Sequence, residues 1–246
     1  MSATSKRISK RQIDSLPAAW SRISNQGWLG TVDAKHRDWL RPIARLRDFA
    51  KGEYVYRVGE RPDGVYGVVS GILDLSVPRA DGEDLVVHRV GEGYWVGDLA
   101  LFARHVRMIS IRVVEASRLV QLPQEKLLPL VASQPELMTD FYNLSRMNVE
   151  LALRLLGNLS VTPSDIRVAL RLLLHDETLG PGERWIRLSQ KDLAGLVSLS
   201  MPTLQRALRT LEERKLIETG YRRMRVVDRS ELLRYCGDVS LEAITA

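Results

Sequence analysis

The chain has few of the residues that build covalent, metal-bound or membrane structures. One cysteine, Cys236, stands among 246 residues, which excludes an internal disulfide framework and a cysteine-held metal cluster. No apolar run reaches the roughly 18 residues that a membrane helix needs; Leu99 to Ala103 is typical of the longest. The polar, basic N-terminus has no apolar block behind it. We therefore expect no membrane partner, no secretory signal and a bacterial cytoplasmic setting.

The common enzymatic motifs are also missing. The sequence has no glycine-rich phosphate loop, no His/Glu pair at metal-binding spacing and no serine with credible catalytic partners. We therefore expect neither a catalytic residue nor a metal site, and we interpret the chain as a non-enzyme.

Charge is distributed unevenly along the chain, whose net charge is +6. Residues 1–50 carry +6, residues 51–160 carry −2, residues 161–236 carry +4 and the last ten residues carry −2. A basic C-terminal segment suits a polyanionic partner, although surplus charge is often a solvated surface.

The middle of the chain has the pattern of an antiparallel β domain. Between Lys51 and Gln121, short runs rich in Val, Ile, Leu and Tyr alternate with glycines at turn-like spacing. The runs are Tyr54–Val58, Val65–Val69, Ile72–Val77, Leu85–Val90 and Ile111–Leu122. This spacing predicts a closed or two-layer β structure.

After Pro123 the apolar period becomes helical. A heptad seam about three repeats long contains Leu137, Phe141, Leu144, Asn148, Leu151 and Leu155. One interpretation is an amphipathic helix packed on its own domain. Asn148 favours a dimerisation helix instead, because a single amide in an apolar seam can fix the register of a helix pair. We predict a homodimer interface along this seam.

The segment 189–217 predicts a helix-turn-helix. Ser189 and Ser200 suit the N-caps of two helices, and Pro202 suits the first turn of the second. In that second helix Leu204, Leu208 and Leu211 face inward, which leaves the polar side chains outward, as a helix in the DNA major groove requires. The predicted DNA contacts of this motif are Ser189, Gln190, Ser200, Met201, Pro202, Thr203, Gln205, Arg206 and Arg209.

A basic hairpin follows the two helices. Residues 216–219 and 224–227 predict two strands, joined by Gly220-Tyr221-Arg222-Arg223. We predict that Arg222 and Arg223, at the tip of this wing, contact backbone phosphates, which carry no base information.

These parts, in this order, resemble the cyclic-AMP receptor/fumarate-nitrate regulator (Crp/Fnr) family. The resemblance extends from about Asp48 to Tyr235 and includes Val65–Gly71, the cassette Gly97–Phe102, the long helix and the pattern Ser200, Thr203, Arg206, Leu208. It implies that Arg206 contacts a guanine. Met201, Pro202 and Ser198 depart from the family's usual residues, so neighbouring operator positions are expected to differ.

The resemblance implies an α+β fold with four segments. These are an N-terminal helical extension (1–47), a cyclic-nucleotide-binding-like β-roll or jelly roll, that is a double-stranded β-helix (48–132), a dimerisation helix (133–160) and a C-terminal winged helix-turn-helix (161–246). Trp20, Trp28 and Trp39 lie in the first segment, where we expect helices packed on the roll.

The cassette departs from the family's cyclic-nucleotide site. Relatives that bind a cyclic nucleotide place a glutamate where Asp98 stands and an Arg-Ser or Arg-Thr pair where Arg107 and Met108 follow. The effector-pocket residues implied by the resemblance are Gly97, Asp98, Leu99, Ala100, Arg107, Met108 and Ser110. The cofactor is therefore unknown: a cyclic nucleotide, another ligand and no ligand all stay open. An iron–sulfur cluster is not expected, and each lone histidine is more often a surface or core residue than a haem ligand.

We therefore predict a transcription regulator that binds a pseudo-palindromic duplex operator as a homodimer, under the control of a signal at the β-roll. RNA polymerase is its expected protein partner. The alternative is a cyclic-nucleotide-binding regulatory module that acts on a protein partner.

Overall fold

The computed structural model describes residues 15–80, 82, 84–179 and 184–237. Within these residues it contains a helical N-terminal segment, an antiparallel β domain, a long helix and a C-terminal domain of helices with a two-stranded hairpin. The predicted α+β architecture is therefore confirmed. Residues 1–14 of the predicted extension, the segment 180–183 and residues 238–246 lie outside the described residues.

Three short helices precede the β domain, and they share one apolar cluster with the β domain and the start of the long helix. They are α1 (Leu16–Ile23), α2 (Gly27–Thr31) and α3 (Ala34–Leu40), followed by a 3-10 turn at Arg41–Ile43. Trp28 is buried against Trp95 and Phe141, with ring centroids 5.1 Å away in each case. Its indole Nε1 donates to the Asp140 carbonyl at 2.7 Å, which satisfies the polar atom of this buried ring. The expected packing of N-terminal helices is therefore observed, and it extends beyond the β domain to the long helix.

The β domain is one antiparallel sheet of six strands. The strands are β1 (Arg45–Phe49), β2 (Tyr54–Tyr56), β3 (Gly64–Pro78), β4 (Asp84–Val90), β5 (Trp95–Val96) and β6 (Ser110–Pro123). Their order is β1-β6-β3-β4, with β2 on β6 and β5 on β3. Val65 and Val69 enter one apolar cluster while Tyr66 and Val68 enter another, so β3 is buried on both faces.

One predicted strand break is wrong. The runs Val65–Val69 and Ile72–Val77 form the single strand β3, although Gly71 lies between them. Gly71 instead occupies an irregularity of the β3–β6 ladder with a φ of 101°. A Cβ there would lie 2.1 Å from the Ser117 hydroxyl, so the glycine permits close approach of the two strands.

Helices dominate the second half of the chain. After α4 (Asp98–Phe102), α5 (Gln124–Ser133) leads to the long helix α6 (Leu137–Ser160). The C-terminal domain contains α7 (Ser164–Asp176), α8 (Gln190–Leu196), α9 (Met201–Glu213), β7 (Ile217–Gly220), β8 (Arg223–Val226) and α10 (Arg229–Tyr235). Its own apolar cluster joins the inward leucines of α7, α8 and α9. None of the described helices is long and apolar enough to cross a membrane.

Candidate nucleic-acid interface

Side-chain caps define the two helices of the helix-turn-helix. The Ser189 hydroxyl accepts from the Asp192 amide at 3.1 Å, and the Asp192 carboxylate accepts from the Ser189 amide at 3.2 Å, a reciprocal capping box at the start of α8. Ser198 turns the chain with a φ of 51°, and Ser200 then caps α9. The sequence order of caps and leucines therefore produces two short helices with a tight turn between them.

The two faces of α9 are sharply different. Leu204, Leu208 and Leu211 are buried in the C-terminal core, while Gln205, Arg206 and Arg209 are exposed. Met201 and Pro202 at the N-terminal end are also exposed, and Thr203 is half-buried with its hydroxyl 2.9 Å from the Ser200 hydroxyl. In the described part of the chain, the Arg206 and Arg209 guanidinium groups have no ion-pair partner. The helix thus presents two unpaired cations and an amide to solvent.

The wing has a shorter tip than the sequence predicted. Strand β7 ends at Gly220 and β8 begins at Arg223, and these two residues pair across the hairpin. Arg223 is therefore not at the tip: its guanidinium stacks over the Trp185 ring, 4.3 Å from the centroid. Arg225 lies 5.1 Å from the same ring and pairs with Glu218 at 2.6 Å. Arg222, with a φ of 53°, is the tip arginine.

Sequence reasoning missed Tyr221, the other tip residue. Its side chain is 91% exposed, more than any other large apolar residue described. An aromatic side chain so exposed at the end of a hairpin is a candidate contact for a partner. Its position in the predicted link between two strands was a usable signal, because a two-residue turn projects both of its side chains away from the ladder.

The cassette turns its acidic residue inward. Gly97, with a φ of 106°, precedes α4, and Asp98 at the first position of α4 is 1% exposed. The Asp98 carboxylate accepts from the Ser145 hydroxyl and from the Asn148 amide, both on α6. Burial raises the pKa of Asp98, against the lowering effect of these hydrogen bonds. Asp98 therefore joins the cassette to the long helix.

Arg107 is likewise occupied within the chain. Its side chain is 1% exposed, and its guanidinium donates to the Gly97 carbonyl at 2.8 Å, to the Gly64 carbonyl at 2.8 Å and to the Asp63 carboxylate at 3.0 Å. The Tyr56 ring lies 4.0 Å from the guanidinium carbon. A Cβ at Gly97 would lie 2.7 Å from Arg107 Nη1, so the arginine fits here because position 97 is glycine.

The predicted pocket residues therefore do not form one open site. The structure brings Gly97 and Arg107 together, but Leu99 and Met108 are about half exposed, at 46% and 50%. Ala100 is buried, and the buried Ser110 hydroxyl accepts from the Val58 amide at 3.0 Å. Within the described residues no group of three or more His, Cys, Asp or Glu could hold a metal ion.

The predicted dimer seam on α6 faces the protomer itself. Leu137, Phe141 and Leu144 are at most 2% exposed, in one cluster with the N-terminal helices and the β domain. Asn148 donates to the Trp95 carbonyl at 3.3 Å as well as to Asp98. Leu155 is also buried and Leu151 is half-buried. This intrachain packing contradicts a partner-helix role for Leu137, Phe141 and Leu144, so the amphipathic alternative describes that part of the seam. The assignment of Leu151 and Leu155 to a dimer interface stays a prediction.

A different side of α6 carries a second apolar stripe. Its members are Met138, Tyr142, Val149, Leu153 and Leu156, which are 41%, 74%, 50%, 52% and 67% exposed. Residues at these spacings lie along one side of a helix. A helix that is apolar on two sides has a surface left for another partner.

Two family models match separate parts of the chain. The cyclic nucleotide-binding domain model matches residues 46–134, and the Crp-like helix-turn-helix domain model matches residues 166–235. The first includes the β domain and the cassette, and the second includes α8, α9 and the wing.

Curated relatives resemble about three quarters or more of the chain. The cAMP-activated global transcriptional regulator CRP of Escherichia coli O6:H1 is 22% identical over 191 residues, which is 73% of this chain and 88% of the relative. The HTH-type transcriptional regulator Cmr of Mycobacterium tuberculosis is 26% identical over 226 residues, or 88% of this chain and 90% of the relative. Among solved structures, FixK2 from Bradyrhizobium japonicum is similar with a TM-score of 0.69 at 19% identity, over 78% of this chain and 96% of that one.

Proposed function

Because the chain belongs to the Crp/Fnr family of DNA-binding transcription regulators, we propose that it binds a pseudo-palindromic operator as a homodimer in the bacterial cytoplasm, with RNA polymerase as its protein partner. The observation that carries this proposal is the exposed face of α9, where Gln205, Arg206 and Arg209 stand opposite buried leucines. The alternative, a regulatory module for a protein partner, leaves the match of residues 166–235 to a helix-turn-helix domain unexplained.

In this proposal α9 enters the major groove. The Arg206 guanidinium binds guanine O6 and N7, and Gln205 is positioned for an adjacent adenine. Ser189, Gln190, Ser200 and Thr203, at the two helix starts, hold phosphates together with Arg222 at the wing tip. Arg223 supports the wing by stacking on Trp185.

The test separates base contacts from phosphate contacts. An operator is selected from random duplex DNA, and affinity is measured for it and for every single-base variant at several salt concentrations. The Arg206→Ala substitution should weaken operator binding by roughly 1–3 kcal/mol per half-site and relax the base preference at one base pair. The Arg222→Ala substitution should weaken binding to all sequences equally. It should also reduce the steepness of the slope of log affinity against log salt concentration by about one unit. Unchanged preference in Arg206→Ala, or a single-position change in Arg222→Ala, would contradict these roles.

We assign the homodimer interface to the outer stripe of α6, with a second copy of the same helix as its occupant. Two facts support a second copy: the stripe runs along most of a 24-residue helix, and a two-fold operator needs two α9 helices about one helical turn apart. The original seam cannot serve, since Leu137, Phe141 and Leu144 are buried within the protomer.

A pair of matched substitutions tests the interface. Val149→Glu places a charge in the stripe, whereas Val227→Glu places it at an equally exposed valine of the C-terminal domain, both being 50% exposed. Light scattering at micromolar concentration should show a dimer for the wild type and for Val227→Glu, and a monomer for Val149→Glu. A monomeric wild type, with or without DNA, would refute the homodimer.

The cassette geometry supports a weak or absent response to cyclic AMP. A cyclic phosphate would need the Arg107 guanidinium, whose donors already serve Gly97, Gly64 and Asp63. A ribose hydroxyl would need Asp98, which already accepts from Ser145 and Asn148. We expect calorimetry to detect no micromolar binding of cyclic AMP; micromolar binding together with tighter operator affinity would overturn this.

A further inference from the structure

Two buried histidines meet where the β domain contacts the C-terminal domain. His88 of β4 is fully buried and His175 of α7 is 5% exposed. Their rings stack with centroids 4.6 Å apart and an interplanar angle of 21°. Both nitrogens of His88 and Nε2 of His175 are buried without a hydrogen-bond partner among the described residues. Buried polar atoms are usually satisfied, so this contact stands out: the described side chains leave the hydrogen-bonding capacity of three ring nitrogens unused.

The rings lie inside a polar contact that joins the two domains. The Arg171 guanidinium, on α7, donates to the Val87 carbonyl of β4 at 2.9 Å. Arg89, also on β4, donates to the Asp192 carboxylate of α8 at 3.0 Å. Asp192 is the capping-box residue of α8, so this contact reaches the first helix of the helix-turn-helix. β4 is therefore hydrogen-bonded to both α7 and α8. The residues of β4 that make these bonds, Val87 and Arg89, lie on either side of His88 in the chain.

The charges around the pair oppose protonation. The cations that face the rings are Arg171 on α7, Arg154 on α6 and Arg89 on β4. The carboxylates of the neighbouring elements are engaged elsewhere: Arg89 binds Asp74 of β3 and Asp192 of α8, Arg154 binds Glu177, and Arg229 binds Asp176 and Glu177. Burial, reinforced by Arg171 and Arg154, lowers the pKa of His88 to about 3. Burial, reinforced by His88 and the arginines, lowers the pKa of His175 well below its ordinary value.

We propose that His88 and His175 form a proton-sensitive latch, which holds the helix-turn-helix domain against β4 while both rings are neutral and releases it when they are protonated. This inference rests on the proposed function in one respect: it names the proton as a signal that acts between the β domain and the DNA-binding domain.

The direction of the effect follows from the burial of neutral rings. Each imidazole is harder to protonate in the docked state than when it is exposed to solvent. Its contribution to docking is therefore complete above its ordinary pKa of 6.5 and decreases as the pH falls below that value. Each ring then weakens docking about tenfold per pH unit between its ordinary and its lowered pKa. At pH 5.5 the latch should be weakened by about tenfold for each ring that is exposed on release.

Hydrogen exchange of the full chain without DNA tests the latch. Exchange is measured at pH 7.5, 6.5 and 5.5 and corrected for intrinsic rates, in peptides from β4 and α8, with β6 as an internal reference. Protection of β4 and α8 should fall at least about tenfold from pH 7.5 to 5.5, and the change in β6 measures the part of this fall that global unfolding contributes. Since DNA is absent, this result is independent of whether the proposed function is correct.

Two variants complete the test. The double variant His88→Phe, His175→Phe keeps stacked rings that cannot titrate, so its protection should not depend on pH. His105→Phe, at an exposed histidine, should keep the wild-type pH dependence. Uniform protection of wild-type β4 and α8 across this range, or full pH dependence in the double variant, would overturn the latch. Should the double variant not fold, the ring-proton NMR titration of wild-type His88 and His175 decides: a titration at the ordinary pKa, without any change in α8, would equally overturn it.

Discussion

The second helix of the helix-turn-helix, α9, and the cassette around α4 both carry polar motif residues, and the fold places these residues in opposite environments. Arg206 on α9 is exposed and has no ion-pair partner in the described part of the chain, whereas Arg107 is enclosed by Asp63, Gly64, Gly97 and Tyr56. An arginine with free donors can bind an external anion, while one whose Nη1 and Nη2 are already bonded within the chain, as in Arg107, stabilises its own fold. A motif residue thus keeps its binding capacity only where tertiary packing leaves its donors free.

The largest expected effect comes from making one substitution in both regions. Arg107→Met removes donors from two buried carbonyls and a carboxylate, so unfolding free energy should fall by about 3 kcal/mol. Arg206→Met removes no ion pair or side-chain hydrogen bond to any of the residues that the structure describes, so it should change stability by less than about 0.5 kcal/mol while weakening operator binding. Urea unfolding at pH 7 and operator titration measure the two quantities. Equal losses of stability would show that the two arginines are not in different environments.

A smaller effect is expected at the turn before α9. Ser198 has a left-handed φ of 51°, which glycine adopts without strain. Ser198→Gly should therefore raise the unfolding free energy by about 0.5–1 kcal/mol, with operator preference unchanged. Ser198→Ala is the matched control, because alanine keeps the steric penalty and should give no gain. A gain in both variants would exclude the backbone explanation.

The smallest expected effect concerns the buried carboxylate of the cassette. Because burial raises the pKa of Asp98, its ionisation disfavours the folded state as the pH rises above the ordinary carboxyl pKa of 3.8. Asp98→Asn can still accept from Ser145, and it should be more stable than the wild type at pH 7 by less than about 1 kcal/mol. The difference should vanish below pH 3.8. A less stable Asp98→Asn at pH 7 would contradict the burial argument.

Local patterns predicted the fold and the two faces of α9 well. The caps Ser189 and Ser200 and the inward leucines of α9 act within one or two helical turns, so their positions in the sequence decide which side chains remain outward. The glycine-punctuated runs predicted the β domain in the same way. They did not predict that β3 continues through Gly71, because that depends on the approach of Ser117 from a distant strand.

The partner of an apolar face was not predictable from periodicity. The α6 seam and its outer stripe both have helical spacing, and the sequence does not state which one the N-terminal helices will cover. Trp28 and Trp95 decided this by packing on the Phe141 side, which left Tyr142 and Leu156 exposed. The position of Arg223 was likewise not predictable, because its guanidinium stacks over Trp185, which lies on a different segment.

The sequence by itself determined the order of the domains, the helix-turn-helix and the outward position of Arg206, because each of these depends on near neighbours in the chain. Tertiary structure alone decided that Arg107 and Asp98 face inward, that α6 presents Val149 rather than Phe141 to solvent, and that His88 stacks on His175. The physical reason is that these outcomes depend on burial and on contacts between residues far apart in sequence. Whether the donors and acceptors of a polar side chain are bonded within the protein or free for a ligand is decided only when the chain has folded.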